Sequence, residues 1–173
     1  ATETKIRNEY EEQQKYRNRL MAAGLIDSEK LVPLPKTTLD ESEKKVLWFY
    51  LEDVSKKMKV YSELLERAEL FKSILDDKKF INKSIIINGS NGIEFKSKNG
   101  DNVPIQSLSS GEQQEVVIAY ELIFRSGKNQ LVMIDEPELS LHVTWQQKFL
   151  DDITKISELA NLDFIIATHS PSI

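Results

Sequence analysis

The chain contains no cysteine, which excludes disulfides and thiolate metal sites and fits a reducing compartment. No apolar run approaches the ~18 residues that a membrane-spanning helix needs, and no secretory leader is visible. A cytoplasmic location with no membrane partner is the expectation. Glycine is scarce, at 6 of 173 residues. None of the six falls in G-x-x-x-x-G-K-[ST], so these residues cannot form a phosphate loop with its lysine. Basic charge is not in excess either: 23 Lys and Arg against 28 Asp and Glu leave a net charge of -5, so the surface as a whole does not attract nucleic acid. A local basic face could use Lys78, Lys79, Lys83, Lys96 and Lys98, but an ordinary solvated lysine-rich surface is the favoured reading.

What remains is an ordinary water-facing balance, 40% hydrophobic and 29% charged, with enough length for one domain with a core. Residues 1–80 read as helical. "YEEQQKYRNRLMAAGL" predicts one helix closed by Gly24, and "LVPLPK" interrupts with two prolines and must be a loop. Asp40 followed by Glu43 has the form of a capping box. After it, Leu47, Leu51, Val54, Met58, Tyr61, Leu65 and Ala68 alternate at spacings of four and three, an a/d seam over about three heptads. Two readings stay open for this seam: one arm of an antiparallel coiled coil, or a long helix packed on a domain.

Residues 81–107 change character. Short β-prone runs in "KSIIINGSNGIEFKSKNGDNVPIQ" are separated by Asn-Gly turns, so a hairpin is predicted, with a third short strand near Val103 to Ile105. Gly89, Gly92 and Gly100 are read as turn residues.

Residues 108–173 carry the chemistry. "LSSGEQQEVVIAYELIF" predicts a helix opening at Gly111 and running to Ser126. Val116, Ala119, Tyr120, Ile123 and Phe124 form its buried face, and Gly127 suits its C-terminal cap. "LVMI" reads as a strand buried on both faces, followed at once by Asp135, Glu136 and Pro137. A helix burying Trp145, Phe149, Ile153, Ile156 and Ala160 comes next, then a second buried strand, "FIIA", ending in Thr168, His169 and Ser170. This is an α/β arrangement, a parallel β-α-β core, either with the two strands adjacent or with one strand between them. Ligands in such sheets sit at the carboxyl ends of the strands, where Asp135, Glu136 and His169 all fall.

Two adjacent acids after a buried strand are a poor core device, because buried charge needs a partner. Asp135 is placed to hold Mg²⁺, directly or through water. Glu136 is placed to polarise an attacking water, and His169 to contact a transferring phosphoryl group. A helix N-terminus offers unpaired N–H groups and the positive end of the dipole. The small residues Ser109, Ser110 and Gly111 let a phosphate approach the backbone there.

"LSSGEQQ" resembles the signature motif of ABC-type ATPases, "LVMIDEPELSLH" their Walker B strand, catalytic glutamate and D-loop, and "FIIATHS" their last strand and switch histidine. The order of the three is the family's own. "DEPELSLH" and "ATHSPSI" are most similar to the branch of RecF-like, SMC-like and OLD (overcoming lysogenization defect) ATPases, with the OLD-like and Septu-like phage-defence ATPases the nearest in kind. The resemblance implies heads that dimerise around ATP and Mg²⁺, the signature of one head covering the γ-phosphate held by the other. By position, Ser109 and Gly111 would make the trans phosphate contacts, with Ser110, Glu112 and Gln113 beside them. Asp135 would serve Mg²⁺, Glu136 would be the general base, His169 the γ-phosphate sensor, and Leu139 to His142 the D-loop. The sequence departs from the pattern at Ser110, usually glycine, and at His142, usually aspartate.

The resemblance further implies that residues 108–173 are the C-terminal half of an ATPase head. A hairpin region (81–107) and a helical region (1–80), with its coiled-coil arm as one reading, precede them. Partners implied are a second head, a nuclease as partner or fused domain, and DNA, in phage defence or DNA repair. A non-hydrolysing scaffold that assembles or regulates a nuclease is the alternative. A nuclease centre in this chain would need an acidic cluster that the sequence does not contain. Since the phosphate loop and the Q-loop glutamine are absent from these residues, they are expected to bind ATP poorly by themselves. Tight, Mg²⁺-dependent binding of ATP by this isolated polypeptide in calorimetry would refute that expectation.

Overall fold

The computed structural model describes residues 1–27, 33–78, 80, 82–89, 91–139 and 141–173. The chain divides into two compact units, Ala1–Leu65 with Asn88–Ser90, and Glu66–Ile87 with Asn91–Ile173.

The first unit is built on two helices. Helix α1, Glu3–Ala22, is capped by Thr2, whose side chain accepts from the Lys5 amide, and Gly24 follows its end as predicted. Helix α2, Glu41–Lys59, starts with the predicted capping box. Asp40 accepts from the amides of Ser42 and Glu43, and Glu43 accepts from the Asp40 amide. Gln13 donates to the Leu51 carbonyl at 2.7 Å, Tyr16 reaches that of Met58 at 3.4 Å, and Lys5 lies over the Trp48 ring. Partner numbers rise together, so α1 and α2 run parallel. The connection must therefore return the chain to the start of α1, where Glu3 accepts from the Leu39 amide. Ile6, Leu39 and Leu51 form the buried centre of this unit. Of the "LVPLPK" loop, Pro33–Lys36 is irregular, as expected, and Leu31 and Val32 lie outside the described residues, as does Lys79.

The heptad seam is not one helix. The chain breaks at Val60 and Tyr61, and α3, Ser62–Asp77, begins after it. Neither glycine nor proline causes the break. Ser62 Oγ donates to the Lys59 carbonyl at 2.9 Å, taking the acceptor a continuing helix would have used. Leu51, Leu65 and Ala68 are buried, whereas Tyr61 stays partly exposed.

The second unit holds the predicted hairpin region as β1 (Lys83–Asn88), β2 (Gly92–Ser97) and β3 (Asn102–Val103), in the order β1-β2-β3. Gly92 and Gly100 take positive φ at the turns, a conformation that costs glycine little. Strand β3 pairs with β2 through Phe95↔Val103 and ends before Ile105, which enters a short 3₁₀ turn. Helix α4, Ser110–Tyr120, opens one residue earlier than predicted and widens into a π-helical turn, Glu121–Arg125. Val116, Ala119 and Ile123 are buried as expected, and Leu122 joins them, but Tyr120 is partly exposed. Gly127 is no left-handed cap. Its amide donates to Gln130 Oε1 at 2.9 Å, and a Cβ there would meet the Gln130 amide nitrogen at 2.9 Å.

Strands β4 (Leu131–Asp135) and β5 (Asp163–Ala167) pair directly and in parallel, from Leu131↔Asp163 to Asp135↔Ala167. Helix α5, Val143–Ala160, connects them and buries Phe149, Ile153, Ile156 and Ala160. Phe149, Ile153 and Ile156 each contribute about 1.5–3 kcal/mol on full burial. Trp145 packs at the edge of this core, its indole N–H donating to the Lys78 carbonyl at 3.0 Å. The two strands were expected to be buried on both faces. Instead burial alternates: Leu131 is 58% exposed, Met133 75% and Ile165 52%. Among the described residues, one face of this pair packs against the core, and the other exposes Leu131, Met133 and Ile165 between Asp135 and Asp163.

Of the lysines considered for a basic face, Lys78 is buried and Lys83 is half-buried. Lys78 is buried with Glu115 of α4 at 3.0 Å and Asp152 of α5 at 2.7 Å. Both contacts lie outside hydrogen-bond geometry and act as ion pairs. Burial raises the Glu115 pKa, and Lys78 opposes the rise. Lys83 pairs with Glu112 at 3.0 Å. Both lysines therefore position α4 rather than offering charge to solvent. Lys78→Met should cost about 3–5 kcal/mol, because two buried carboxylates lose their shared counter-charge. Urea unfolding would measure it, and a midpoint equal to that of the unsubstituted protein would show the triad to be dispensable.

Candidate functional site

The start of α4 is shaped by local hydrogen bonding. Ser109 is the N-cap: its Oγ accepts from the Glu112 amide at 3.3 Å, and Glu112 Oε2 accepts from the Ser109 amide at 2.8 Å. Ser109 therefore caps the helix as well as standing at its positive end. The Gln113 amide begins the helical ladder on the Ser109 carbonyl, and its side chain donates to the Leu108 carbonyl at 2.8 Å. Glu112 and Gln113, predicted to lie beside a phosphate, thus have their side chains engaged in holding the turn. The amides of Ser110 and Gly111 have no intrahelical partner. They line a groove of about 760 Å³ with Ser109, His142, Trp145 and Lys148. His142 stands where the resemblance expects aspartate, and it caps α5, its Nδ1 accepting from the Thr144 amide at 3.3 Å. A short polar acceptor is what that position requires, and histidine supplies one.

Asp135, Glu136 and His169 do not line this groove. They lie at the carboxyl ends of β4 and β5, as the parallel register dictates. Asp135 sits opposite Ala167. Glu136 follows with φ of 46°, a left-handed conformation costing on the order of 1–3 kcal/mol for a side chain of this kind. It is held there because its amide donates to the Ala167 carbonyl at 2.8 Å, extending the ladder by one rung, and because Pro137 behind it is buried. His169 Nε2 lies 3.7 Å from Glu136 Oε1, and the imidazole is 90% exposed. Asp135 is an exposed carboxylate next to this pair. That donor set fits Mg²⁺, which takes one or two carboxylates and keeps several waters. Among the described residues, no group of three or more His, Cys, Asp or Glu forms a metal cage.

Glu138 was not singled out on the sequence. Its carboxylate accepts from Thr168 Oγ1 at 2.7 Å, the His169 amide at 2.7 Å and the Ser170 amide at 3.1 Å. No sequence signal marks it, because an acid after a proline reads as a turn until the second strand end is brought alongside. Burial pushes its pKa up, but the hydrogen bonds prevail and hold it below the usual carboxylate range. Glu112 follows the same balance, with the Ser109 amide and Lys83 outweighing burial.

For both acids the unfolded chain binds protons more readily than the fold does. The stability they contribute is present above the unfolded value, about 4.3, and is lost as pH falls through the lower folded value. Thermal unfolding as a function of pH should therefore show a steep acid limb below about pH 4, shallower in Glu112→Gln and Glu138→Gln. An identical limb in all three proteins would contradict the assignment.

Among known proteins, the chain is 34% identical over 85 residues to "Retron Vc95 probable ATPase" of Vibrio cholerae serotype O1 biovar El Tor, an alignment covering 43% of this chain and 16% of that protein. It is 33% identical over 95 residues to "Zinc import ATP-binding protein ZnuC" of Wigglesworthia glossinidia brevipalpis, covering 53% and 40% respectively. The chain thus spans less than half the length of these relatives. A solved SMC head bound to the C-winged helix domain of ScpA aligns with TM-score 0.45 and 19% identity, over 76% of this chain and 39% of that one. The profile of one family matches residues 6–173, and the chain belongs to that family, described as "AAA domain, putative AbiEii toxin, Type IV TA system".

Proposed function

We propose that this chain supplies the signature, Walker B and switch elements of an ATP-hydrolysing head that pairs with a second head around ATP and Mg²⁺. The observation that carries the reading is the 3.7 Å approach of His169 Nε2 to Glu136 Oε1 at the ends of two adjacent parallel strands. Glu136 takes a proton from the attacking water and holds it on its carboxylate. His169 orients against the transferring phosphoryl group, and Asp135 anchors the metal, which supplies charge neutralisation when bound. The Ser109–Gly111 turn offers its amides to a phosphate held by the partner head, with Glu112 and Gln113 as its fasteners. Its separation from the acid pair supports a site completed in trans. The exposed Leu131, Met133 and Ile165 on one face of β4 and β5 support a further layer carrying the phosphate loop and its lysine. The resemblance of "DEPELSLH" and "ATHSPSI" to phage-defence ATPases supports a role in phage defence, with a nuclease or DNA as the regulated partner.

Glu136→Gln in the full-length protein should lower turnover by about 10²–10⁴-fold while ATP binding persists. The trapped ATP-bound pair of heads should then appear as a doubling of mass in light scattering. Turnover and mass that match the unsubstituted protein would favour a non-hydrolysing scaffold.

A further inference from the structure

We infer that Glu138 is the positioning residue that clasps the Thr168–Ser170 loop against the Asp135–Pro137 turn and so fixes His169 opposite Glu136. This rests on the reading of the site proposed above.

The imidazole of His169 is 90% exposed, so little packing holds the ring. Its station depends on its backbone, and the backbone is held by Glu138. One carboxylate oxygen receives the amides of His169 and Ser170, and the other receives the Thr168 hydroxyl. The loop is tied a second time, because Ser170 Oγ donates to Gln146 Oε1 at 2.7 Å. Gln146 Nε2 in turn donates to the Leu141 carbonyl at 3.0 Å and lies 3.4 Å from the Glu138 carbonyl. Leu141 of the predicted D-loop, in which Ser140 lies outside the described residues, the start of α5 and the switch loop are therefore joined by hydrogen bonds around Glu138.

The same geometry separates the roles of two neighbouring glutamates. A general base needs an available lone pair directed at water. Glu138 has three donors on its two oxygens, which lowers its basicity. Glu136 faces His169 instead. Buried Pro137 between them and the left-handed Glu136 make the turn stiff, so the acid that clasps and the acid that reacts keep a constant offset.

Glutamine at 138 has one oxygen to meet three donors, and its own NH₂ group would face a donor. In the full-length protein, Glu138→Gln should lower kcat by about 10- to 100-fold through misplacement of His169, with KM for ATP unchanged. Hydrogen exchange at the His169 and Ser170 amides should accelerate by about tenfold or more. Thr168→Val, which removes one donor and leaves the two amide bonds, should give a smaller loss of kcat and guards against a Glu138 variant that fails to fold. Unchanged amide exchange in a folded Glu138→Gln protein overturns the clasp. Accelerated exchange with kcat at the unsubstituted level overturns its positioning role. Absence of ATP turnover in the unsubstituted protein sinks the hydrolase reading instead, and the exchange measurement then decides the clasp.

Discussion

The parallel pairing of β4 with β5 is the constraint on which the site depends. Its register places Asp135 opposite Ala167, so whatever follows each strand must emerge at the same edge. One further backbone bond, from the Glu136 amide to the Ala167 carbonyl, carries the pairing past the strand ends and forces Glu136 into a left-handed conformation. A slip of one residue would turn alternate side chains to the opposite face of the sheet and separate Glu136 from His169. Main-chain hydrogen bonds, which do not depend on side-chain identity, thus bring the two strand ends together, and the Glu138 carboxylate holds the loop that carries His169.

Charge organises the helices around this pair. Lys78 bridges α4 and α5 through Glu115 and Asp152, and Lys83 meets Glu112 beside the first turn of α4. Buried ion pairs contribute little net stability, because desolvation offsets the Coulomb attraction. What they supply here is register: each carboxylate has its cationic partner in one arrangement of the helices. The turn that presents the Ser110 and Gly111 amides is thereby held by a capping box, a lysine and a glutamine side chain together.

Much of the architecture was legible in the chain. The Asp40 capping box, the two helices of the first unit, the hairpin region, the α5 face and the strand–acid junctions all follow from local rules of capping and periodicity. Errors arose where local rules compete with something distant. The heptad pattern ran through Val60 and Tyr61 because periodicity does not register a serine that captures the Lys59 carbonyl. Gly127 looked like a cap, yet Gln130 crowds it. Lys78 and Lys83 looked like surface charge because their acidic partners lie on elements far away in sequence.

The sequence by itself determined which chemistry is on offer: two acids after one apolar strand, a histidine after another, and a small polar turn opening a helix. Those are matters of residue type and short spacing. Tertiary structure decided which groups meet. It set Glu136 against His169, kept the Ser109–Gly111 turn in a separate groove, gave Glu138 the Thr168–Ser170 loop, and left Leu131, Met133 and Ile165 uncovered. The physical reason is that pairing between strands, burial of a sheet face and sharing of hydrogen bonds across 30 residues depend on contacts that no local pattern encodes.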